Sequence, residues 1–412
     1  MKVLQLSHKP PYPPKDGGCL AIDNITQGLI NAGVELKILT IETEKHPFEK
    51  DRIPEEYLAK TGIISVFVDT KLNVVDAFSN LVTQDSYNIS RFFTPDFDHV
   101  LISELEEKEY DIIHLESLFM TPYISTIRMH SDARIVLRSH NLEYIIWERL
   151  SKQTGSVAKK TYLKLLAKQL KKYELNVLNQ VDGIAPISKR DADDFRKLGA
   201  EQPIEIIPFG LNISKYKADN DSNKDLNLFH LGSMDWAPNL EGLDWFLEKI
   251  WPVINTKEPE ASLYLAGRDM PDRFFEMEYP KVVVVGEVED AIKFIKSKSI
   301  MIVPLLSGGG IRVKIIEGMA LGKAIISTSV GAEGIHYTHK KDIWIADTPN
   351  EFAEAVRFFK SNPKKIIEFG SNARKLVEQE YSNEVIINKL LSFYKYLQTK
   401  PITNPERIIA SN

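Results

Sequence analysis

Residues 307–320 read Ser307-Gly308-Gly309-Gly310-Ile311-Arg312-Val313-Lys314-Ile315-Ile316-Glu317-Gly318-Met319-Ala320, a glycine-rich turn that leads into a helical pattern. The apolar run before it, Ile300 to Leu306, is typical of a buried parallel strand, and the next strand begins at Lys323. Together these segments predict a βαβ unit whose turn lies at the carboxyl end of a strand. Open α/β sheets bind ligands at that edge, so we expect a binding site there.

The turn has the chemistry of a phosphate site. Consecutive glycines let the backbone approach an anion closely, and the following helix directs its positive end at the same place. Arg312 and Lys314 add positive charge, and we expect both side chains to be exposed at the surface. Glu317, one helical turn after Lys314, can accept hydrogen bonds from two ribose hydroxyls, although a lysine and a glutamate at this spacing also form ordinary solvated pairs.

Other nucleotide-binding patterns do not fit. The glycine turn has neither the spacing of a Walker loop nor that of a GxGxxG fingerprint. Gly17 and Gly18, which follow the first predicted strand, do not complete that fingerprint either. The sequence therefore argues against a nicotinamide enzyme.

Composition indicates a large enzyme in a reducing compartment. The chain has 412 residues, of which 43% are hydrophobic, and this is enough for two domains with full cores. The single cysteine, Cys19, excludes a disulfide framework and a cysteine-based zinc site, and we expect no metal. The first strand begins too early for a signal peptide and no apolar stretch is long enough to span a bilayer, so we expect a cytoplasmic protein. The net charge of −5 gives no reason to expect nucleic-acid binding.

Strands and helices alternate in two rounds, which predicts an α/β protein with two doubly wound, Rossmann-like domains facing across a cleft. We expect an N-terminal domain over residues 1–210, a linker over 211–226, a C-terminal domain over 227–381, and a last helix within 382–412 that packs back on the first domain. The strands are predicted at Lys2–Ser7, Glu35–Ile41, Ile63–Asp69, Asp111–Leu115, Arg134–Ser139, Gly183–Ile187, Ile204–Pro208, Leu226–Gly232, Ser262–Gly267, Val282–Gly286, Ile300–Leu305, Ala324–Ser327 and Ile343–Ile345.

Short motifs in this order resemble glycosyltransferase family 4, whose members have the GT-B fold. The resemblance covers nearly the whole chain and depends on the order and context of the motifs. They are Asp16-Gly17-Gly18, Arg138-Ser139-His140-Asn141-Leu142-Glu143, Gly232-Ser233-Met234-Asp235-Trp236, Ala266-Gly267-Arg268, Gly286-Glu287-Val288, and the glycine turn with Glu317-Gly318-Met319-Ala320-Leu321-Gly322-Lys323.

The resemblance implies a retaining, metal-independent transfer of a sugar from a nucleotide diphosphate donor to a glycan or lipid-linked glycan, with no other cofactor. Catalytic roles are expected for His140, Arg312 and Lys314. The expected donor-binding residues are Arg268, Glu287, Val288, Gly308, Gly309, Gly310, Ile311 and Glu317. The expected acceptor- or sugar-binding residues are Asp16, Gly17, Gly18, Asn141 and Glu143, of which Asp16 and Glu143 can equally be structural caps.

The chain departs from the family at one position. Relatives commonly carry an earlier glutamate that seven residues separate from the one at Glu317, and at that position this sequence has Gly309. The family assigns that glutamate to the hydroxyls of the donor sugar, so the sugar is less defined than the nucleotide. A noncatalytic nucleotide-sugar-binding protein therefore stays open, as do an epimerase and a glycosyl phosphorylase of the same fold.

A basic amphipathic helix is predicted from Ala158 to Leu175. Its lysines are interleaved with apolar residues and are Lys159, Lys160, Lys164, Lys168, Lys171 and Lys172. Such a helix is either a solvated face that packs inward by its leucines or a surface that contacts an anionic membrane. The second interpretation agrees with an acceptor carried on a lipid.

Overall fold

The structure is a computed structural model that describes residues 1–70, 87–140, 142–154, 157–218, 226–308 and 311–402. The chain forms two compact units. Unit 1 comprises Met1–Gly210 and the chain from Ile386 onward, and unit 2 comprises Leu211–Val385. Along the sequence, unit 2 is therefore an insertion within unit 1.

Unit 1 contains a parallel sheet whose six described strands have the order β3-β2-β1-β4-β5-β6. The order reverses between β1 and β4, so the connections lie on both faces of the sheet. The strands are β1 (Lys2–Ser7), β2 (Glu35–Glu42), β3 (Ile64–Phe67), β4 (Ile112–Glu116), β5 (Arg134–Ser139) and β6 (Gly183–Pro186). The helices are α1 (Gly17–Asn31), α2 (Glu55–Thr61), α3 (Tyr87–Ser90), α4 (Pro95–Glu107), α5 (Ile124–His130), α6 (Glu143–Gln153), α7 (Val157–Leu178) and α8 (Lys189–Lys197).

Unit 2 contains a second parallel sheet, with the order β12-β11-β10-β7-β8-β9 among the described strands and a reversal between β7 and β10. The strands are β7 (Asn227–Leu231), β8 (Ser262–Ala266), β9 (Val282–Gly286), β10 (Ile300–Val303), β11 (Ala324–Ser327) and β12 (Trp344–Ile345). The helices are α9 (Ala237–Trp245), α10 (Trp251–Lys257), α11 (Asp272–Phe275), α12 (Ala291–Lys296), α13 (Val313–Ala320), α14 (Pro349–Ser361) and α15 (Pro363–Glu380).

The last helix, α16 (Asn383–Gln398), returns the chain to unit 1. Its buried apolar side chains join a core cluster that also contains Val3 and Ile112 of the sheet. The approach is close: a Cβ at Gly183 of β6 would lie 2.6 Å from Leu397 and 2.8 Å from Phe393. Glycine at this position therefore lets α16 pack directly against β6.

The predicted fold class is confirmed, because the strands follow the apolar runs and the two sheets are parallel and doubly wound. One predicted strand is wrong. Residues 204–208 make backbone hydrogen bonds with β6 and a single bridge from Ile204 to Ile184, but they form no strand. Pro203 precedes the segment and Pro208 ends it, and proline has no N–H to continue a ladder.

The predicted linker is partly structured. Leu211 pairs with Ser382, and Ile213–Lys215 form a short 3₁₀ helix. Residues 219–225 of that linker lie outside the described residues, as do residues 403–412 of the predicted last segment. Within the described part of the chain, no helix combines the length and the apolar character needed to cross a bilayer.

Candidate functional site

The reversal in the sheet of unit 2 lies between β7 and β10, and this is where the glycine turn is found. The carboxyl ends of these neighbouring strands are followed by Gly232 and by Gly308. In doubly wound sheets the crevice at such a reversal is the usual ligand site. Gly309 and Gly310 lie outside the described residues.

Arg312 packs back onto the glycine turn. Gly308 has φ +112°, and a Cβ there would lie 2.9 Å from Arg312 Nη2 and 3.1 Å from the Trp236 ring. The guanidinium lies 5.2 Å from the centroid of the Trp236 ring, and the residue is only 5% exposed. The expectation that Arg312 is a surface group is therefore wrong. The absent side chain of Gly308 and the flat face of Trp236 leave room for the guanidinium to fold against the turn.

Lys314 lies in the first turn of α13 and is partly buried rather than exposed as the sequence predicts. Its Nζ donates to Oδ1 of Asn239 at 2.8 Å, and the Asn239 side-chain amide donates to the Ser233 carbonyl at 2.7 Å. Among the described residues, no carboxylate contacts this ammonium. Burial, reinforced by the charge of Arg312, lowers the pKa of Lys314 to about 7. A buried cation held by a neutral amide is suited to an anionic ligand.

Glu317 is half-buried one turn after Lys314 on α13. Its Oε1 accepts a hydrogen bond from the Tyr216 hydroxyl at 2.8 Å. Burial raises the pKa of Glu317, an effect that the Tyr216 hydrogen bond partly offsets. Tyr216 thus orients the carboxylate, and Oε2 has no partner among the described residues.

The other predicted donor-binding residues lie on neighbouring loops at the same edge of the sheet. Arg268 and Glu287 are exposed and follow β8 and β9, and Val288 and Ile311 are half-buried. Backbone hydrogen bonds join these loops: Gly232 donates to the Ala266 carbonyl, and Gly267 donates to the Gly286 carbonyl. The contacts of the described residues do not connect Arg268 or Glu287 to Lys314.

Unit 1 has a polar cluster at the corresponding reversal between β1 and β4. His8 follows β1, Glu116 ends β4, and Arg138 and His140 belong to the end of β5. Oε2 of Glu116 lies 3.0 Å from Arg138 Nη1 and 3.0 Å from His140 Nε2. The His8 Nδ1 lies 3.1 Å from the Glu116 carbonyl and 2.9 Å from Ser117 Oγ. The adjacent Asn141 lies outside the described residues.

The charges in this cluster are set by burial and by one ion pair. Burial works against the ionisation of Glu116, but the positive charge of Arg138 and the hydrogen bonds with His114 and His140 outweigh it and hold the pKa of Glu116 well below its usual range. Burial lowers the pKa of His140, only partly opposed by the hydrogen bond to Glu116. Burial also lowers the pKa of His8 to about 3, so both histidines are neutral at pH 7.

Asp16 is the N-cap of α1, where it accepts a hydrogen bond from the Cys19 N–H at 2.8 Å. Lys9 Nζ donates to both carboxylate oxygens at 2.8 and 2.9 Å, and His46 Nε2 lies 3.0 Å from Oδ2. Asp16, Cys19 and His46 offer ligand atoms within 4.8 Å of one another, but Lys9 already supplies the positive charge that a metal ion would bring.

The two predicted glycines of this loop differ in their surroundings. A Cβ at Gly18 would lie 2.5 Å from Lys9 Nζ, whereas Gly17 has no atom within 4 Å of such a position. The missing side chain of Gly18 therefore leaves room for Lys9, whereas no described atom restricts a side chain at Gly17.

Glu143 begins α6 and is half-buried, and burial raises its pKa to about 7. Its backbone N–H and that of Tyr144 donate to the two carboxylate oxygens of Glu174 at 2.9 and 3.0 Å. Glu174 therefore caps α6 from α7, and burial raises its pKa to about 8. Only the backbone of Glu143 takes part in this cap, and its side chain has no partner among the described residues.

The sequence did not identify Trp236, Asn239, Tyr216 or Glu116 as parts of these clusters. Trp236 and Asn239 follow the end of β7, and Glu116 is a charged residue at the end of an apolar strand, so their positions carried a usable signal. The position of Tyr216 carried no such signal, because its contact with Glu317 joins residues 101 positions apart.

Two family models match the chain. "Glycosyltransferase Family 4" matches residues 20–215, and "Glycosyl transferases group 1" matches residues 225–362. The chain is 25% identical over 407 residues to a Klebsiella pneumoniae protein described as "Uncharacterized 44.6 kDa protein in cps region", covering 94% of this chain and 98% of that protein.

A second relative is the Staphylococcus aureus "Capsular polysaccharide biosynthesis glycosyltransferase CapM", 26% identical over 216 residues, which are 48% of this chain and 56% of that protein. Among solved structures, HepE of Anabaena in complex with UDP superimposes with a TM-score of 0.67 at 12% identity, over 96% of this chain and all of that chain. Two family models that together span most of the sequence, and a full-length match to a GT-B structure, show that the chain is a glycosyltransferase of the family 4 type with the GT-B fold.

Proposed function

We propose that this glycosyltransferase is retaining, needs no metal ion, and transfers a sugar from a nucleoside diphosphate sugar to a glycan or lipid-linked glycan. The donor assignment is carried by the environment of Lys314, a partly buried ammonium whose described partner is the neutral Asn239 side chain. Binding of a diphosphate supplies the anion that this ammonium lacks. The UDP complex of HepE supports a uridine nucleotide.

In the proposed mechanism, the bond between the anomeric carbon and the diphosphate oxygen breaks while the acceptor oxygen attacks the same face of the sugar. The departing diphosphate gains negative charge and takes the proton of the acceptor hydroxyl. Lys314 and the N-terminal end of α13 stabilise that charge, and Arg312 holds the glycine turn. Glu317 binds the ribose, and His140 contacts the transferred sugar.

A donor screen tests this assignment. The protein is incubated with UDP-, GDP-, ADP- and dTDP-sugars, and mass spectrometry measures the nucleoside diphosphate that is released. We expect slow hydrolysis of one donor class, and we expect transfer to a matching acceptor to keep the anomeric configuration when the product is examined by NMR.

The same screen separates the alternatives. A noncatalytic protein binds a nucleotide sugar in calorimetry but releases nothing, and an epimerase changes the sugar without net release of nucleotide. A phosphorylase needs inorganic phosphate and yields a sugar phosphate. Any of these three results would overturn the transferase assignment.

The affinity for UDP should fall as the pH rises above 7. The pKa of Lys314 is lowered to about 7, so the ammonium loses its proton above that pH in the free protein, while a bound diphosphate requires the charged form. Each pH unit well above the pKa then costs about 1.4 kcal/mol of binding, and since half of the ammonium is already neutral at pH 7, we expect affinity to drop about fifteenfold between pH 7 and pH 8.5. Calorimetry over this range measures the effect. A Lys314→Met variant serves as the control and should show weak, nearly pH-independent binding.

Helices α6 and α7 carry an exposed surface of mixed apolar and basic character. Its apolar side chains include Val157, which is 79% exposed, and Leu165, which is 42% exposed; the others are Ile146, Leu150 and Tyr162. Its exposed lysines are Lys152, Lys160, Lys164, Lys168 and Lys172, and Lys171 is half-buried. The side chain of Lys159 lies outside the described residues. The one acidic residue of α7, Glu174, is buried, so nothing on that helix opposes the positive charge.

Exposed apolar groups surrounded by lysines fit the anionic cytoplasmic leaflet of a membrane, where a lipid-linked acceptor is held. In a flotation assay at low salt, we expect the protein to rise with phosphatidylglycerol vesicles and to remain in the bottom fraction with phosphatidylcholine vesicles. Replacing Lys160, Lys164, Lys168 and Lys172 with glutamine removes about 4 kcal/mol of attraction and should abolish flotation.

The matched control removes the same charge elsewhere, by glutamine at Lys249, Lys257, Lys364 and Lys375, which are exposed lysines of unit 2. That variant should still float. Equal losses in both variants would attribute binding to net charge alone, and a wild-type protein that does not float would remove the membrane from the proposal.

A further inference from the structure

A row of buried polar side chains in unit 1 connects the last helix to His140. Tyr394 of α16 places its Oη 2.5 Å from His114 Nδ1, and His114 Nε2 lies 3.1 Å from Glu116 Oε1. The other oxygen of Glu116 lies 3.0 Å from His140 Nε2. Tyr394, His114 and Glu116 are fully buried, and the His140 side chain is 17% exposed.

The hydrogen bonds along this row all donate in one direction, from Tyr394 towards Glu116. Burial raises the pKa of Tyr394 well above its usual value, so the phenol keeps its proton and can donate it to Nδ1 of His114. A histidine that accepts at Nδ1 carries its proton on Nε2, which is the atom that faces the Glu116 carboxylate. Each donor therefore meets an acceptor, from Tyr394 to His114 and from His114 to Glu116.

The same logic assigns the tautomer of His140. Its Nε2 lies 3.0 Å from Glu116 Oε2 and 3.2 Å from Arg138 Nη1, and it cannot both donate to the first and accept from the second. The charge-assisted bond to the ionised carboxylate is the stronger of the two, so the proton is on Nε2. Nδ1 then carries the lone pair. It has no partner among the described residues, and it can accept a hydrogen bond from a sugar hydroxyl.

We propose that Tyr394 and His114 are positioning residues for sugar transfer, which act by fixing the Glu116 carboxylate so that it holds His140 with Nδ1 free to accept. The inference rests on the proposed role of His140. It gives a purpose to polar groups that are costly to bury: the row and the ion pair with Arg138 occupy space that apolar side chains would fill without a desolvation penalty. The buried row fixes the His140 ring in a single orientation, and this function accounts for its cost.

The experiment records the imidazole ¹⁵N signals of the ligand-free protein, labelled with ¹⁵N-histidine. His140→Gln identifies the His140 signals by their loss, and in the wild type we expect the pattern of a neutral ring protonated at Nε2. Tyr394→Phe removes only the hydroxyl of a buried ring, and we expect the His140 signals to shift or broaden towards a mixture of tautomers. The matched control is Tyr396→Phe on the same helix, where the side chain is 46% exposed and the His140 signals should not change.

Turnover of the donor selected by the screen gives the second readout. Tyr394→Phe should lower kcat about threefold to tenfold, the factor that one hydrogen bond typically contributes, and leave KM for the donor nearly unchanged. Its melting temperature should fall because the buried Nδ1 of His114 loses its donor, so turnover is compared well below the melting temperatures of both proteins. Tyr396→Phe should match the wild type.

The outcomes separate the two proposals. If Tyr394→Phe leaves the His140 signals as in the wild type, or leaves kcat unchanged while His140→Ala is impaired, the positioning role is wrong. If His140→Ala itself is fully active, then His140 does not contact the transferred sugar. In that case its own proposed role and the positioning role of Tyr394 and His114 are both wrong. Shifted signals together with a lowered kcat support the inference.

Discussion

Lys314→Met should abolish turnover and at the same time raise the stability of the protein. The ammonium is partly buried beside Arg312, no carboxylate contacts it among the described residues, and its pKa is lowered to about 7 from the usual 10.5. A lysine pKa that is lower in the folded protein than in the unfolded chain means that the charge destabilises the folded state. That penalty is fully present below pH 7 and disappears as the pH rises towards 10.5, because the unfolded chain keeps the proton longer than the folded one. Methionine removes the charge and keeps most of the volume.

The loss of function should be large. Groups that stabilise developing charge on a leaving group contribute about a hundredfold to a thousandfold to the rate. We therefore expect turnover to fall about a hundredfold or more, while the melting temperature rises most near pH 6.5 and less at pH 9. Thermal unfolding at both pH values and donor hydrolysis give the two measurements.

Lys323→Met is the matched control within unit 2. Lys323 is also buried, but its Nζ donates to the carbonyls of Lys296 and Lys298 at 3.0 and 2.7 Å and so satisfies the end of α12. Its loss should lower stability by about 1 to 3 kcal/mol and spare the turnover of the folded fraction. A Lys314→Met variant that behaves like Lys323→Met would make Lys314 a structural cation.

Breaking the ion pair of unit 1 should have the largest effect on stability. Glu116 and Arg138 are fully buried, with Oε2 and Nη1 3.0 Å apart. Replacing either residue with leucine leaves the other charge buried without its partner, which typically costs about 3 to 5 kcal/mol. Replacing both removes both charges, so the double variant should recover part of that loss, although His114 and His140 still lack the carboxylate that accepts from them.

Turnover should follow a different pattern from stability. The double variant lacks the carboxylate that holds His140, so we expect it to be more stable than either single variant and nearly inactive. Hydrogen exchange of β4 and β5 measures the local stability, and donor hydrolysis measures the function. Recovery of turnover along with stability would show that the pair serves only the fold.

The sequence predicts the sheets well for a physical reason. Parallel strands are buried on both faces, so β10 is a continuous apolar run, and the limits of β1 and β10 fall within two residues of the prediction. The segment from Ile204 to Pro208 is also mostly apolar and makes backbone hydrogen bonds with β6. The prolines before it and at its end have no N–H, and only the single bridge at Ile204 forms, which composition alone did not show.

The functional clusters are predictable only where they are local in sequence. Lys314 and the glycine turn are seven residues or fewer apart, and the order of motifs pointed to His140. Glu116 becomes a neighbour of Arg138 only through the register of β4 on β5, and Tyr394 reaches His114 across 280 positions. The exposure of Arg312 was mispredicted because the stacking partner, Trp236, belongs to another loop.

The return of α16 to unit 1 has a consequence for the synthesis of the chain. When Gly210 leaves the ribosome, every strand of the first sheet has been made, but the cluster that contains Val3 and Ile112 still lacks the apolar side chains of α16. Translation of the inserted unit 2 delays them by about 10 to 35 s at usual elongation rates. During that interval the apolar surface of the first sheet that α16 will cover stays exposed on the nascent chain, while unit 2 folds separately. Translation that stops before residue 383 should therefore release an aggregation-prone product that chaperones must hold.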